Sequence, residues 1–356
     1  MRIVFVEPGA SGTPVGGTKV VYEYANRLAA RRHQVSVIHP VKLEPARRLS
    51  KALRLGLRYL GWSLGGRWKP SRWMTVDERV EMRWTRDLAP SRFPAADVVI
   101  ATTWNTVEPI LRLPADRGRK VFFSQHWDFG YAPDDKVLAA WRGAEQRIVI
   151  NRSAGAAAGE LGLDADYVPN GLDPAAFGID TPLEGRDPFH VALLFHGAPH
   201  KGVNDALAAL ELARAQAPQL SAEMFSGQPR PADLPDWIAF NHKPADAELR
   251  ALYNRASVFV SASHNEGWGL TPCEAGLCGC ALAVTDNFGH REFAIDQETA
   301  LVSAPGDPEA LATNVVRLAS DAELRVRTNA ALREKLAAFS WERSVEMMEA
   351  ALTGPA

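Results

Sequence analysis

The 356-residue chain carries 40 Lys and Arg against 42 Asp and Glu, a formal net charge of -2, with 46% hydrophobic residues. A chain of this length and apolar content can bury two cores, and a near-neutral balance excludes a general field for nucleic acid. Its three cysteines, Cys273, Cys278 and Cys280, match no common zinc spacing and sit too close together to staple distant segments, so they read as reduced core residues.

The N-terminus enters the strand-like run Arg2–Val6 without a basic, apolar leader, and no apolar run approaches the roughly 18 residues of a membrane span. The expected location is cytoplasmic. Gly16 and Gly17 then open a helix-like segment from Thr18 to Arg31; the spacing of a nicotinamide fingerprint, Gly-x-Gly-x-x-Gly, is missing there. Further apolar runs at Val35–Ile38, Asp97–Ala101, Val121–Phe123 and Ile148–Ile150 alternate with helical patterns, the rhythm of a parallel sheet covered by helices.

Between Val35–Ile38 and Asp97–Ala101, residues 46–74 hold eight Arg or Lys, no acid, and Trp62, Trp68 and Trp73. On a helical wheel Arg47, Lys51, Arg54 and Arg58 share one face, and Leu49, Leu53, Leu57, Leu60 and Leu64 form another. Two readings stay open: an interfacial helix touching an anionic membrane or an anionic acceptor, or a helix packed on the sheet with its basic face in water. Asp164-Ala-Asp166, the only Asp-x-Asp, reads as surface loop rather than a metal site.

A domain boundary is expected at the turn Pro169-Asn-Gly. The strand rhythm then restarts at Val191–Phe195, Ala222–Phe225, Trp237–Phe240, Val258–Ser261 and Ala281–Thr285. Lys201 follows the first of these strands, where open α/β sheets bind ligands; a cation is ill placed at a helix start for structure alone. After the run ending at Ser261 comes Ser-His-Asn-Glu-Gly-Trp-Gly-Leu-Thr-Pro-Cys-Glu, which sets Glu266 before a helix and Glu274 on it. Gly267 and Gly269 permit close backbone approach, Pro272 suits the first helical turn, and the amides near Leu270 and Thr271 form a positive N-terminus suited to phosphate.

The paired glutamates, Gly16-Gly17, Val168-Pro-Asn-Gly-Leu-Asp173, Lys201-Gly202, Leu252-Tyr253, Gly306-Asp-Pro-Glu309 and Phe339-Ser-Trp341 form an ordered set. In that order the chain resembles, over nearly its whole length, the family 4 retaining glycosyltransferases of bacterial envelope and polysaccharide synthesis. The resemblance implies an α/β GT-B architecture, two Rossmann-like domains facing a central cleft. Residues 1–168 would form the acceptor-side domain, with the helix at 340–356 returning to it, and 169–339 the nucleotide-sugar domain. It implies a retaining, metal-independent hexosyl or deoxyhexosyl transfer from a nucleoside-diphosphate sugar, with no cofactor, to a cell-envelope polysaccharide or lipid-linked glycan.

By the same resemblance, Lys201 would clamp the donor diphosphate and Glu274 would bind the ribose hydroxyls. Glu266 would face the transferred sugar, His126 would reach that sugar across the cleft, and Gly16, Gly17, Gly269, Leu270 and Thr271 would present backbone to the donor. The family's arginine shortly before the lysine is absent: Phe195-His-Gly-Ala-Pro-His-Lys201 offers only His196 and His200, so Arg230 or Arg291 is the expected substitute. The loop around Asn241-His-Lys243 is the expected nucleobase contact. Other readings left open are a small natural-product acceptor, a sugar-nucleotide epimerase of the same fold, and a non-catalytic scaffold; a pyridoxal phosphorylase of this fold is far longer.

Overall fold

The computed structural model describes residues 1–10, 12, 14–43, 49–66 and 68–354. They divide into two compact units, Met1–Pro169 with Glu342–Ala356, and Asn170–Trp341.

The first unit runs β1 (Arg2–Val6), α1 (Gly16–Ala30), β2 (Gln34–Pro40), α2 (Leu49–Gly65), β3 (Glu81–Thr85), β4 (Val98–Ala101), α3 (Trp104–Leu111), β5 (Arg119–Ser124), α4 (Asp134–Gly143), β6 (Gln146–Val149), α5 (Arg152–Glu160) and β7 (Asp166–Tyr167). Its seven strands pair in the order β3-β2-β1-β4-β5-β6-β7, all parallel. The central strands are apolar without alternation, because helices cover both faces: Ile3, Val4, Phe5 and Val6 are all buried, as are Val98 to Ala101. On α1, Val21, Ala25, Leu28 and Ala29 recur at helical spacing and fill one side of that core.

The second unit runs β8 (His190–Leu194), α6 (Val203–Gln216), β9 (Ser221–Ser226), β10 (Ile238–His242), α7 (Asp246–Arg255), β11 (Val258–Ser261), α8 (Leu270–Leu277), β12 (Ala281–Thr285), β13 (Leu301–Ser303), α9 (Pro308–Ser320) and α10 (Ala322–Leu336). Its parallel order is β10-β9-β8-β11-β12-β13, so both units are Rossmann-like α/β layers. Arg186 locks the end of this core: buried, it donates to the carbonyls of Thr181, Tyr253, Ala256 and Cys278. Helix α11 (Trp341–Thr353) belongs from Glu342 onward to the first unit, where Arg119 donates to Leu352 O at 2.6 Å and Glu349 meets His33 at 2.7 Å.

Three strands escape the sequence reading, β3, β7 and β13, and each is a sheet edge. Asp166 of the Asp-x-Asp is correspondingly no loop residue: it opens β7 opposite Ile148, and its carboxylate accepts from Gln146 at 2.6 Å. Asn241 and His242 likewise end β10 rather than forming a loop. The three cysteines are free and buried, and burial pushes the thiols of Cys278 and Cys280 up to about 12.

Helix α2 packs on the edge strand of the first sheet with Arg54 and Arg58 exposed, though not through its leucine row. Leu53, Leu57, Leu60 and Leu64 are 54 to 90% exposed. The helix docks instead by Tyr59 and Trp62, whose rings stack on Trp84 of β3. Ala46, Arg47 and Arg48 lie outside the described residues, as do the side chains of Leu49 and Lys51. Among the described residues no helix is long and apolar enough to cross a membrane, and no three His, Cys, Asp or Glu side chains gather as a metal site.

Candidate active site

The site is built where β8 and β11, neighbours in the second sheet, release the chain at their carboxyl ends. Beyond β8 a short 3-10 turn, Pro199–Lys201, carries Lys201 and ends at Gly202 in the left-handed region (φ 59°), where a Cβ would lie 2.0 Å from Ala262 O. The backbone amide of His264 donates to His200 O at 2.8 Å, so the two releasing loops are tied together.

That tie sets Lys201 Nζ at 2.7 and 2.8 Å from the two oxygens of Glu266, and Ser263 Oγ donates to the same carboxylate at 2.8 Å. Burial works to raise the Glu266 carboxyl, but the Lys201 ammonium and the Ser263 hydroxyl outweigh it and hold the group below the usual carboxylate range. Lys201, Glu266, Ser263, Thr271, His196 and Leu194 line one small cavity. Desolvation and the adjacent Lys201 keep His196 neutral at pH 7, so it cannot replace a guanidinium there.

Helix α8 starts at this cavity. Its N-cap, Gly269, has φ 98° and would place a Cβ 2.9 Å from the ring of His290, so only glycine fits without displacing that ring. No side chain caps the helix and no acid stands in its first turn, which leaves the amides at Leu270 and Thr271 facing outward as anion donors. His290 is fully buried and burial pushes it down, hence neutral. Its Nδ1 donates to Thr285 O at 2.8 Å, which leaves Nε2, beside Gly269, as an acceptor without a hydrogen-bond partner among the described residues.

Glu274 lies on α8, half-buried, outside the residues lining the cavity; its charge, after burial, raises the Cys273 thiol. The two arginines expected to replace the missing one are committed elsewhere. Arg230 donates to the carbonyls of Ile238, Leu234 and Pro235, and Arg291 makes a two-point pair with Asp286 at 2.6 and 2.9 Å. Asn241 is likewise engaged, donating to Glu223 at 2.9 Å, while His242 and Lys243 are exposed.

In the first unit, α1 begins at Gly16 with no side-chain cap, and a Cβ on Gly17 would meet Gln125 Oε1 at 3.4 Å. The glycine pair therefore adjoins the segment after β5, where His126 Nδ1 stands 3.5 Å from Asp128 and the ring meets Tyr131 edge-on. Glu7, next after β1, was not singled out by the sequence. It is buried, accepts from Thr18 Oγ1 at 2.7 Å, and burial raises its carboxyl against the pull of the Thr18 and Thr102 hydroxyls. Ser263 and His290 were missed too; Ser263 stands three residues before Glu266 in the same turn, whereas nothing in the sequence around His290 marks it.

Two open parallel α/β units, the second with a cation, a carboxylate and an uncapped helix N-terminus at its sheet's carboxyl edge, give the chain the GT-B fold. Residues 193–335, within the second unit, match the family described as glycosyl transferases group 1. The chain is 34% identical over 120 residues to the lipopolysaccharide core biosynthesis mannosyltransferase LpcC of Rhizobium leguminosarum bv. viciae, covering 33% of this chain and 34% of that protein. It is 26% identical over 192 residues to the phosphatidyl-myo-inositol mannosyltransferase of Mycolicibacterium smegmatis, covering 51% and 50%. The chain thus spans a third to a half of the length of these curated relatives. The crystal structure of Anabaena HepE in complex with UDP and glucose shares the fold over 99% of both chains, with a TM-score of 0.74 and 16% identity.

Proposed function

We propose that the protein transfers a hexosyl or deoxyhexosyl group, with retention and without a metal, from a nucleoside-diphosphate sugar to a hydroxyl of a cell-envelope polysaccharide or lipid-linked glycan. The observation that carries this reading is Lys201 chelating Glu266 beside the uncapped start of α8, inside the domain that matches the family. The names of the two mannosyltransferases support the acceptor class, and HepE with UDP and glucose supports the donor class.

In this reading the bond from the anomeric carbon to the diphosphate oxygen breaks, a bond to the acceptor oxygen forms, and the acceptor proton passes to the leaving diphosphate. The chain supplies stabilisation of separating charge. Lys201 and the amides of Gly269, Leu270 and Thr271 receive the negative diphosphate, and Glu266, freed in part from Lys201, faces the sugar and its hydroxyls. Glu274 takes the ribose hydroxyls; Gly16, Gly17 and His126 serve the donor and acceptor from the first unit. The reaction is placed in the cytoplasm. Contact with an anionic membrane through residues 46–74 would rest on α2 and not on this site.

Ligand-observed NMR against UDP-, GDP-, dTDP- and ADP-sugars tests the reading before any acceptor is known. Binding of one nucleotide class, lost in Lys201→Ala and in Glu274→Ala, is expected; absence of binding to every sugar nucleotide overturns it.

A further inference from the structure

Helix α2 is amphipathic in an unusual sense for a domain helix, because its apolar stripe faces away from the unit that holds it. The inner face is fixed by an aromatic stack: Tyr59, Trp62 and Trp68 lie nearly parallel to Trp84 of β3, with centroids 6.2, 5.6 and 5.9 Å from it, and Trp84 Nε1 donates to Tyr59 O at 3.2 Å. On the far side Leu53, Leu57, Leu60 and Leu64 recur at i, i+4, i+7 and i+11, with exposures of 68, 63, 54 and 90%. A contiguous row of four exposed leucines on a helix docked by its opposite face is a surface built to be covered.

The charge beside it selects the cover. Arg54 and Arg58 are exposed along one flank of the leucine row, with the Arg58 guanidinium 5.0 Å above the Trp62 ring. Residues 46–74 hold eight cations and no acid in a chain whose net charge is -2. A symmetric contact of two such rows would gather cations of both copies with no local acid to pair them. A bilayer bearing anionic lipids meets both requirements at once, hydrocarbon for the leucines and headgroup charge for the arginines. We propose that α2 lies in the interface of an anionic lipid bilayer with Leu53, Leu57, Leu60 and Leu64 inserted and Arg54 and Arg58 among the headgroups. The inference rests on α2 alone, so it and the donor site fail separately.

Cosedimentation of the full chain with vesicles of phosphatidylglycerol and phosphatidylcholine, and with phosphatidylcholine alone, tests it. Binding is expected to the anionic vesicles, weaker with added salt, and to fall at least about tenfold in Leu57→Glu/Leu60→Glu and about fivefold in Arg54→Glu. Leu64→Asp, at the most exposed of the four positions, gives the same reading should the double variant fail to fold. Light scattering on the same samples reports self-association. No binding to anionic vesicles, undiminished binding of the leucine variants, or a wild-type dimer that the leucine variants dissociate without any vesicle binding overturns the proposal.

Discussion

Glu266 and Glu7 occupy comparable places, each after a buried parallel strand at the carboxyl edge of its sheet and each close to the start of a glycine-led helix. Their environments shift them in opposite directions. Glu266 has both oxygens on an ammonium and a serine hydroxyl on one of them, and its carboxyl is held low. Glu7 has only neutral threonine hydroxyls, of Thr18 and Thr102, to favour its charge, and a carboxyl raised by burial. The titratable side chains around Glu7 bring no positive charge, for burial pushes His39 down to about 4 and raises the Tyr22 hydroxyl. The second unit therefore presents an organised pair of opposite charges at its sheet edge, and the first a carboxyl without a cation beside it; a diphosphate leaving group suits the former.

Removing the ammonium is the most direct way to break this contrast. In Lys201→Ala, Glu266 becomes a second Glu7, a largely buried carboxyl with only a hydroxyl donor. Its titration, followed by carbon NMR, should move from below the ordinary value of 4.5 to above it. Turnover with the donor found in the binding screen should fall about 100- to 1,000-fold, the size of losing one principal stabiliser of leaving-group charge. Because the folded value in the wild type is depressed, the pair stabilises fully above pH 4.5 and loses its contribution as pH falls through the folded value. Thermal unfolding of the variant should lack that acid limb; if it is retained, the pair is not its cause.

A smaller effect is expected at Gly269. Alanine there must adopt φ 98° and press on His290, a cost of about 1–3 kcal/mol. Chemical denaturation measures it. A stability loss with unchanged donor affinity would detach His290 and the α8 start from the site and leave Lys201 as its sole organiser.

The residues of this contrast were unequally legible. Central strands announce themselves because helices on both faces demand unbroken apolar runs, as in Val4 to Val6 and Ala281 to Val284, while β3, β7 and β13 escape because an edge strand has one neighbour and tolerates Glu81, Arg83 and Asp166. Lys201 and Glu266 were legible as motif members, though not as partners, since 65 residues separate them and only the parallel pairing of β8 with β11 brings them together. The commitment of Arg230 to carbonyls and of Arg291 to Asp286 follows from local folding that sequence spacing does not encode. For α2 the wheel found the leucine row but not its direction, which is decided by the aromatic stack on Trp84, a residue outside the segment.

The smallest expected effect tests the Glu7 half of the comparison. Glu7→Gln keeps size and hydrogen bonding but can never ionise. Below the ordinary glutamate value of 4.5 the wild-type carboxyl is protonated whether the chain is folded or not, so the variant should match it in thermal unfolding at pH 4. As pH rises, the unfolded carboxyl ionises first and the folded one, raised by burial, lags, so the wild type loses stability until the folded value is passed. At pH 8 the glutamine protein should therefore be the more stable, seen as a higher unfolding midpoint than the wild type. An equal or lower stability of the variant at pH 8 would mean that the ionised carboxylate is compensated where it lies, and Glu7 and Glu266 would then be two versions of the same charged site rather than opposites.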